Sequence, residues 1–377
     1  MASSTAYRMV YPFLPAFRDA LGVSVESITR AIGYRSLAAA VFGPFFASQG
    51  DTRGRKRGVL LGMAIFLVGV ATVVFWPTFT GFAIATMLTT LGNATFVPSM
   101  QAYLGDHVPY NRRSFAITIT ELSWSGAYII GIPLVGWVIS AYGWLAPFPL
   151  FGVLVIASGI VFYISVPKDQ PHKTRPANLL QNARLIVSSP AAVAAVGLTV
   201  FTCIANEFIN LVFGLWMEDS FGLQLAALGA AAAVLGAAEL SGEGLVALIT
   251  DRLGKRRAIF LGLLVNSLAI AALPLTAGSL VAALVCLFFF YISFEFFIVS
   301  AIPLMTEVLP AARATMMAGF FTSASIGRFL ASQFSAMLYL NGFWSVIIAT
   351  LIFNLAGILC IRGLVLPAEQ ETPASAE

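Results

Sequence analysis

Apolar runs of helical length alternate with short polar loops along the whole chain. Twelve runs stand out, at roughly 4–21, 26–49, 58–76, 79–104, 113–141, 144–166, 190–217, 224–250, 258–276, 279–305, 313–341 and 343–365. Most reach the ~20 residues a helix needs to cross hydrocarbon, and none alternates with period two, so they predict spanning helices and not barrel strands. One polar interruption is long. From Lys168 to Ser189 it holds Lys168, Asp169, His172, Lys173, Arg175 and Arg184, with Pro171 and Pro176. It divides the runs, numbered here as spans 1 to 12, into two sets of six. The expected organisation is a first bundle at 1–166, a linker at 167–189, a second bundle at 190–366 and a tail at 367–377.

Composition agrees with lipid as the solvent. The chain is 59% hydrophobic and 10% charged, where soluble domains carry about 25% charged residues. Too few charges remain to cover a water-facing surface, and in lipid only helices and closed barrels satisfy the backbone. Cys203, Cys286 and Cys360 lie inside apolar runs without a pairing pattern and read as small core residues. Arg8, Pro12 and Pro15 in the first run are wrong for a cleavable signal peptide. The net charge of +4 matters less than its placement. Loops after even-numbered spans hold Arg53, Arg55, Lys56 and Arg57, then Arg112 and Arg113, the basic linker, Arg252, Lys255, Arg256 and Arg257, and Arg313. Loops after odd-numbered spans hold Asp19, Glu26, Glu218 and Asp219 instead. Lysine and arginine bias places the linker and both termini in the cytoplasm of an inner, plasma-membrane protein. Basic residues in such short loops argue against nucleic acid as a partner.

The polar loops repeat. Asp51-Thr52-Arg53-Gly54-Arg55-Lys56-Arg57 returns as Asp251-Arg252-Leu253-Gly254-Lys255-Arg256-Arg257, and Asp106 before Arg112 returns as Glu307 before Arg313. Two landmarks at nearly the same offset predict duplicated halves, hence an all-α membrane protein of twelve transmembrane helices in two pseudo-symmetric six-helix bundles.

These loops resemble the major facilitator superfamily. Its loop between spans 2 and 3 reads G-x-L-[A/S]-D-R-x-G-R-[R/K]. The stretch Ala47 to Lys56 matches at Asp51, Gly54, Arg55 and Lys56, with Ala47 for the leading Gly and Thr52 for the first Arg. The resemblance covers essentially the whole chain. In span 5, Gly126, Gly131, Pro133 and Gly136 form a run similar to the antiporter signature G-x-x-x-G-P-x-x-G-G, and the opening Arg8 to Pro15 looks like the first span of drug and sugar efflux members. Span 4 departs from many proton-coupled members, carrying Asn93 and Gln101 but no charge. The resemblance implies a cytoplasmic gate at Asp51, Arg53, Arg55, Asp251 and Arg252, and implies that spans 3, 6, 9 and 12 face lipid.

A charge in hydrocarbon is costly and marks a functional position. The candidates for substrate binding or proton coupling are Arg8, Arg35, Glu121, Glu207, Glu239, Glu243, Glu295 and Arg328, on spans 1, 2, 5, 7, 8, 10 and 11. Spans 3, 6, 9 and 12 carry none in their cores. At about 1.5 Å of rise per residue, Arg8 and Glu207 lie about 16 Å below Asp19 and Glu218, near the midplane, which predicts an Arg8–Glu207 pair across the centre. Glu239 and Glu243 are spaced i,i+4 on one face, where two close carboxylates disfavour double ionisation and one can carry a proton. Glu295 and Arg328 have depths that suit an ion pair within the second half. Glu121 sits in the inner part of the cavity.

The expected function is secondary active transport by alternating access, with protons exchanged for small amphipathic or cationic compounds moving outward. A sugar or lipid exporter or facilitator without obligatory proton coupling, and a receptor that binds without transporting, stay open as alternatives. No nucleotide-binding loop, nucleophile–base pair, or zinc or haem spacing appears, so neither cofactor, metal nor enzymatic activity is expected. The partners expected are a small-molecule substrate, protons and membrane lipids, around a monomer.

Overall fold

The computed structural model describes residues 1–108, 120, 122–167, 179–276 and 278–364, without the side chains of 47–53, 105, 179–182, 311 and 314. The fold is all-α. Span 1 is two helices, α1 (Ala2–Arg8) and α2 (Leu14–Leu21). Spans 2 to 6 follow as α3 (Val25–Arg53), α4 (Arg55–Phe75), α5 (Phe79–His107), α6 (Leu122–Tyr142) and α7 (Pro147–Ser165). A short helix, α8 (Leu179–Val187), precedes spans 7 to 9, which are α9 (Pro190–Phe221), α10 (Leu225–Leu253) and α11 (Lys255–Ala272). Spans 10 to 12 are α12 (Leu280–Val308), α13 (Arg313–Leu340) and α14 (Phe343–Arg362). Eight of the described helices are long and apolar enough to cross a membrane on length and composition.

The duplication is visible in the backbone. Gly22 and Gly222 both end a first helix in the left-handed region, at φ 62° and 64°. Gly54 and Gly254, the glycines of the repeated loops, sit at φ 105° and 80°, between α3 and α4 and between α10 and α11. Left-handed backbone favours glycine, so the repeated Gly is the hinge between consecutive helices and its basic followers open the next one. Gly143 and Gly342 repeat the device at the start of spans 6 and 12, at φ 86° and 107°.

Two helices depart from regularity, and both line the centre. Pro12 has no N–H to continue the first helix. The chain leaves α-geometry at Met9–Phe13, with Tyr11 N–H closing a tight turn on Arg8 O at 3.2 Å. In α6 the residues Ala127–Gly131 adopt a π-helical turn just before Pro133. The wider turn accommodates the carbonyl that Pro133 cannot serve.

Burial differs most between α9 and α7 among the candidate spans. In α9, 67% of the apolar window is enclosed, against 22% in α7, whose Val153, Val161 and Ile164 point outward. Outward Leu268 on α11 and Ile352 on α14 continue an apolar exterior suited only to lipid. A buried asparagine network ties the second half together. Asn354 Nδ2 donates to Asn266 Oδ1 at 2.8 Å, and Asn266 Nδ2 donates to Phe290 O at 2.7 Å, joining α14, α11 and α12.

The two halves touch on the side away from the linker. A Cβ on Gly33 of α3 would fall 1.6 Å from Ser332 Oγ of α13, and one on Gly214 of α9 would fall 2.5 Å from Pro12 O. Gly136 and Gly229 bring α6 and α10 into similar backbone contact. At the rim of this far face, Arg18 Nη2 lies 3.8 Å from Glu218 Oε2. Toward the linker, several polar contacts lie within one half. Arg55 Nε donates to Asp106 at 3.3 Å, Lys255 bonds Glu307, and Lys56 Nζ donates to Tyr163 O at 2.7 Å, serving a terminal carbonyl of α7. The repeated acids Asp106 and Glu307 thus hold the basic residue that follows the loop glycine in their own half. The halves meet closely on the far face.

Candidate functional site

The turn at Met9–Phe13 separates two clusters of charge. On one side Tyr11 and Glu207 meet. Glu207, 1% exposed on α9, accepts from Tyr11 Oη at 3.0 Å on Oε1 and from Asn210 Nδ2 at 3.3 Å on Oε2. Asn210 is one turn along the same helix, and its Oδ1 accepts from Tyr291 Oη of α12 at 2.7 Å. Arg35 of α3, also 1% exposed, donates from Nη1 to Tyr7 O at 2.7 Å, a carbonyl next to the broken end of α1. Its guanidinium lies over the Tyr7 ring at 4.0 Å and the Tyr11 ring at 5.1 Å. Nε and Nη2 of Arg35 are buried with no described partner. Arg328 of α13 stands within electrostatic range of Glu207, Tyr7, Tyr11 and Cys203. Tyr11 therefore bridges the cluster, its ring facing a cation of the first half and its hydroxyl facing a carboxylate of the second.

The other cluster surrounds Arg8. Its Nη1 donates to Glu239 Oε1 of α10 at 2.6 Å, across the boundary between halves. The guanidinium stacks over Tyr128 at 4.3 Å and Trp124 at 5.3 Å, the first of these in the π-turn of α6. Such contacts contribute ~0.5–2 kcal/mol each, more where water is excluded. Glu243 accepts from Ser125 Oγ at 3.3 Å. Glu295 packs on α10 at Gly242, whose added Cβ would lie 2.7 Å from the Glu295 Cβ, and is within electrostatic range of Arg8. Tyr7 connects the clusters, edge-on to both Trp124 and Tyr11 at 6.0 and 6.4 Å.

Several expectations are corrected here. Arg8 pairs with Glu239 and not with Glu207. The depth estimate assumed helical rise through Met9–Phe13, where the helix is broken, and depth alone does not say which way a side chain turns. Glu239 takes Arg8 as a partner and Glu243 takes Ser125. Glu295 and Arg328 make no described ion pair with each other; one faces α10 and the other faces Glu207. Glu121, and the side chains of Asp51 and Arg53, lie outside the described residues. Arg55 pairs with Asp106 inside the first half, while Asp251 and Arg252 are exposed on the linker face. Tyr7, Tyr11, Trp124, Tyr128, Asn210 and Tyr291 were not among the expected site residues. Asn210 at i+3 from Glu207, and Tyr7 and Tyr11 flanking Arg8 one turn apart, were the available signals.

Two halves that close on one face, with charges gathered at their central boundary and a lipid-facing exterior, define an integral membrane transporter. The chain belongs to the Major Facilitator Superfamily, whose model matches residues 1–205 and again 195–377. An uncharacterized MFS-type transporter, YwfA of Bacillus subtilis, is 24% identical over 296 residues, covering 76% of this chain and 70% of that protein. Multidrug resistance protein MdtG of Serratia proteamaculans is 28% identical over 283 residues, covering 71% and 67%. Among solved structures, a D-xylose–proton symporter superposes with a TM-score of 0.78 at 14% identity, covering 96% of this chain and 94% of that one. A bacterial homologue of the lysosomal transporter Spinster, in an inward-facing and unoccupied conformation, gives 0.76 with 96% and 92% coverage.

Proposed function

We propose that this transporter exports small amphipathic or cationic compounds in exchange for protons, with Glu207 as the coupling carboxylate. The observation that carries the reading is the placement of Glu207. It is enclosed at the boundary of the halves, held by one hydroxyl from the first half and one amide from the second, and no described cation lies within ion-pair distance. An intramembrane carboxylate of this kind is a functional position by default. Adding or removing its proton changes its balance with Arg35 and Arg328 and its hold on Tyr11, which belongs to the broken segment of span 1. A change of charge is thereby tied to a change in how the halves meet. The multidrug resistance name borne by relatives such as MdtG supports outward transport of amphipathic compounds. The reading includes cytoplasmic termini and linker, a monomeric unit, and bundles bounded at 166 and 190. The linker-side gate at Asp51, Arg53, Arg55, Asp251 and Arg252 engages when that face closes.

Transport of a fluorescent organic cation in proteoliposomes under an imposed pH gradient tests the reading. Glu207→Gln keeps acceptor and hydrogen-bonding capacity but cannot cycle a charge. It should abolish gradient-driven accumulation while retaining counterflow. Accumulation by the Gln variant equal to that of the parent would remove Glu207 from coupling, and counterflow insensitive to any gradient would favour facilitation.

A further inference from the structure

The compartment around Arg8 has the composition of a receptor for an organic cation. Two aromatic rings, Trp124 and Tyr128, lie at 5.3 and 4.3 Å from the guanidinium carbon, and the Glu239 carboxylate lies 2.6 Å from Nη1. Aromatic faces with a carboxylate attract weakly hydrated, delocalised cations. Arg8 fills this compartment imperfectly. Its Nη1 bonds Glu239, and its buried Nε has no described partner. Arg8 is the last residue of α1, directly before the turn at Met9–Phe13. The side chains of Arg8 and Glu239 keep 15% and 11% exposure, so the compartment is not sealed. Two further carboxylates stand near, Glu295 within electrostatic range of Arg8 and Glu243 one turn beyond Glu239. A displaced Arg8 therefore has acidic surroundings to move to.

We propose that Trp124, Tyr128 and Glu239 form the binding site for a planar organic monocation of the amidinium or guanidinium type, and that Arg8 occupies it as a tethered substitute when substrate is absent. Binding exchanges one cation for another. Glu239 is never left as an unpaired buried charge, which would be strongly unfavourable. The identity of the substrate as a cation rests on the exporter reading above; the site and the displacement of Arg8 rest on the geometry. The sign of one substitution follows. If Arg8 competes for its own site, its occupancy reduces the apparent affinity for substrate in proportion to the fraction of empty sites. Removing it should tighten binding. A direct substrate ligand or a structural ion pair would behave the opposite way.

The test is equilibrium binding of benzamidinium to the purified full-length protein in detergent, with benzamide as the neutral isostere. Arg8→Ala should bind benzamidinium at least about tenfold more tightly than the parent. Glu239→Gln and Trp124→Leu should each weaken binding about tenfold, and benzamide should bind none of them measurably. Binding to Arg8→Ala that is unchanged or weaker, or benzamide binding as well as benzamidinium, overturns the proposal. Should Arg8→Ala fail to fold, Trp124→Leu in the Arg8-containing chain decides: thermal stabilisation by benzamidinium that survives the loss of the ring overturns the assignment, and its loss supports it. No gradient enters these measurements. Failure of Glu207 coupling would leave the site standing, and failure of benzamidinium binding would leave pH-driven transport to be judged by the liposome experiment.

Discussion

Gly214→Ala isolates the contact that closes the far face. A Cβ at this position would lie 2.5 Å from Pro12 O, 2.7 Å from Tyr11 O and 2.9 Å from Pro12 C. An ordinary contact begins near 3.4 Å, so α9 and the span 1 turn must separate by several tenths of an ångström, up to about 0.9 Å. All three neighbours are backbone, and no side chain can rotate away. Overpacking of this kind costs about 1–3 kcal/mol. The cost falls on the state in which the far face is closed and is relieved when the halves part there, so the population of far-face-open molecules should rise about 5- to 150-fold. The reporter is a single thiol introduced as Ser332→Cys, with Cys203, Cys286 and Cys360 replaced by serine. Ser332 is 1% exposed beneath Gly33 in the closed interface. A membrane-impermeant maleimide should label it faster in the Gly214→Ala background. Gly159→Ala is the control, because its Cβ meets Met63 Sδ at 3.6 Å, an ordinary contact with a flexible side chain away from the interface. A labelling rate that does not differ between Gly214→Ala and its parent would falsify the view that this contact belongs to one state alone.

Two further outcomes follow from the same structure. Arg18 reaches Glu218 at 3.8 Å and Asp19 at 2.6 Å on the far rim. Arg18→Gln should favour far-face opening by less than about 1 kcal/mol, and raising the salt to about 1 M should reproduce the effect in the parent, as read by the Ser332→Cys thiol. Asn266→Leu removes both the acceptor for Asn354 and the donor to Phe290 O. The stranded buried groups should cost about 1–3 kcal/mol, seen as a lowered melting temperature in detergent, with less loss in the paired Asn266→Leu, Asn354→Leu variant.

Much of the architecture was legible because lipid permits few solutions. Helical length, absence of period two and a repeated loop were enough to give twelve spans in two halves. Gly54 and Gly254 carried the duplication because a left-handed hinge tolerates little else. The site was legible in height but not in direction. Arg8 and Glu207 both lie where the halves meet, and their partners depend on which side of span 1 each helix presents. Pro12 is visible in the sequence, but not that Arg8 meets α6 and α10 while Tyr11 meets α9. The π-turn at Ala127–Gly131 likewise carries Tyr128 to Arg8, and Gly131 and Pro133 by themselves did not foretell it. The aromatic residues of both clusters were hidden among the many Phe, Tyr and Trp side chains that serve only as apolar bulk.

Helix length sorts the molecule a second way. The peripheral helices α4, α7, α11 and α14 have 21, 19, 18 and 20 residues, or roughly 27–32 Å of axial rise, close to the ~30 Å of a hydrocarbon core. The central helices α3, α5, α10 and α12 have 29 residues each and α9 has 32, some 43–48 Å. The outer set is gauged to bilayer thickness. The inner set stands proud of it and carries the loops that must meet and part. A thicker bilayer would therefore stretch the lipid seal without touching the central levers, and a thinner one would tilt the outer helices first. Bilayer thickness on this basis acts first on the outer helices.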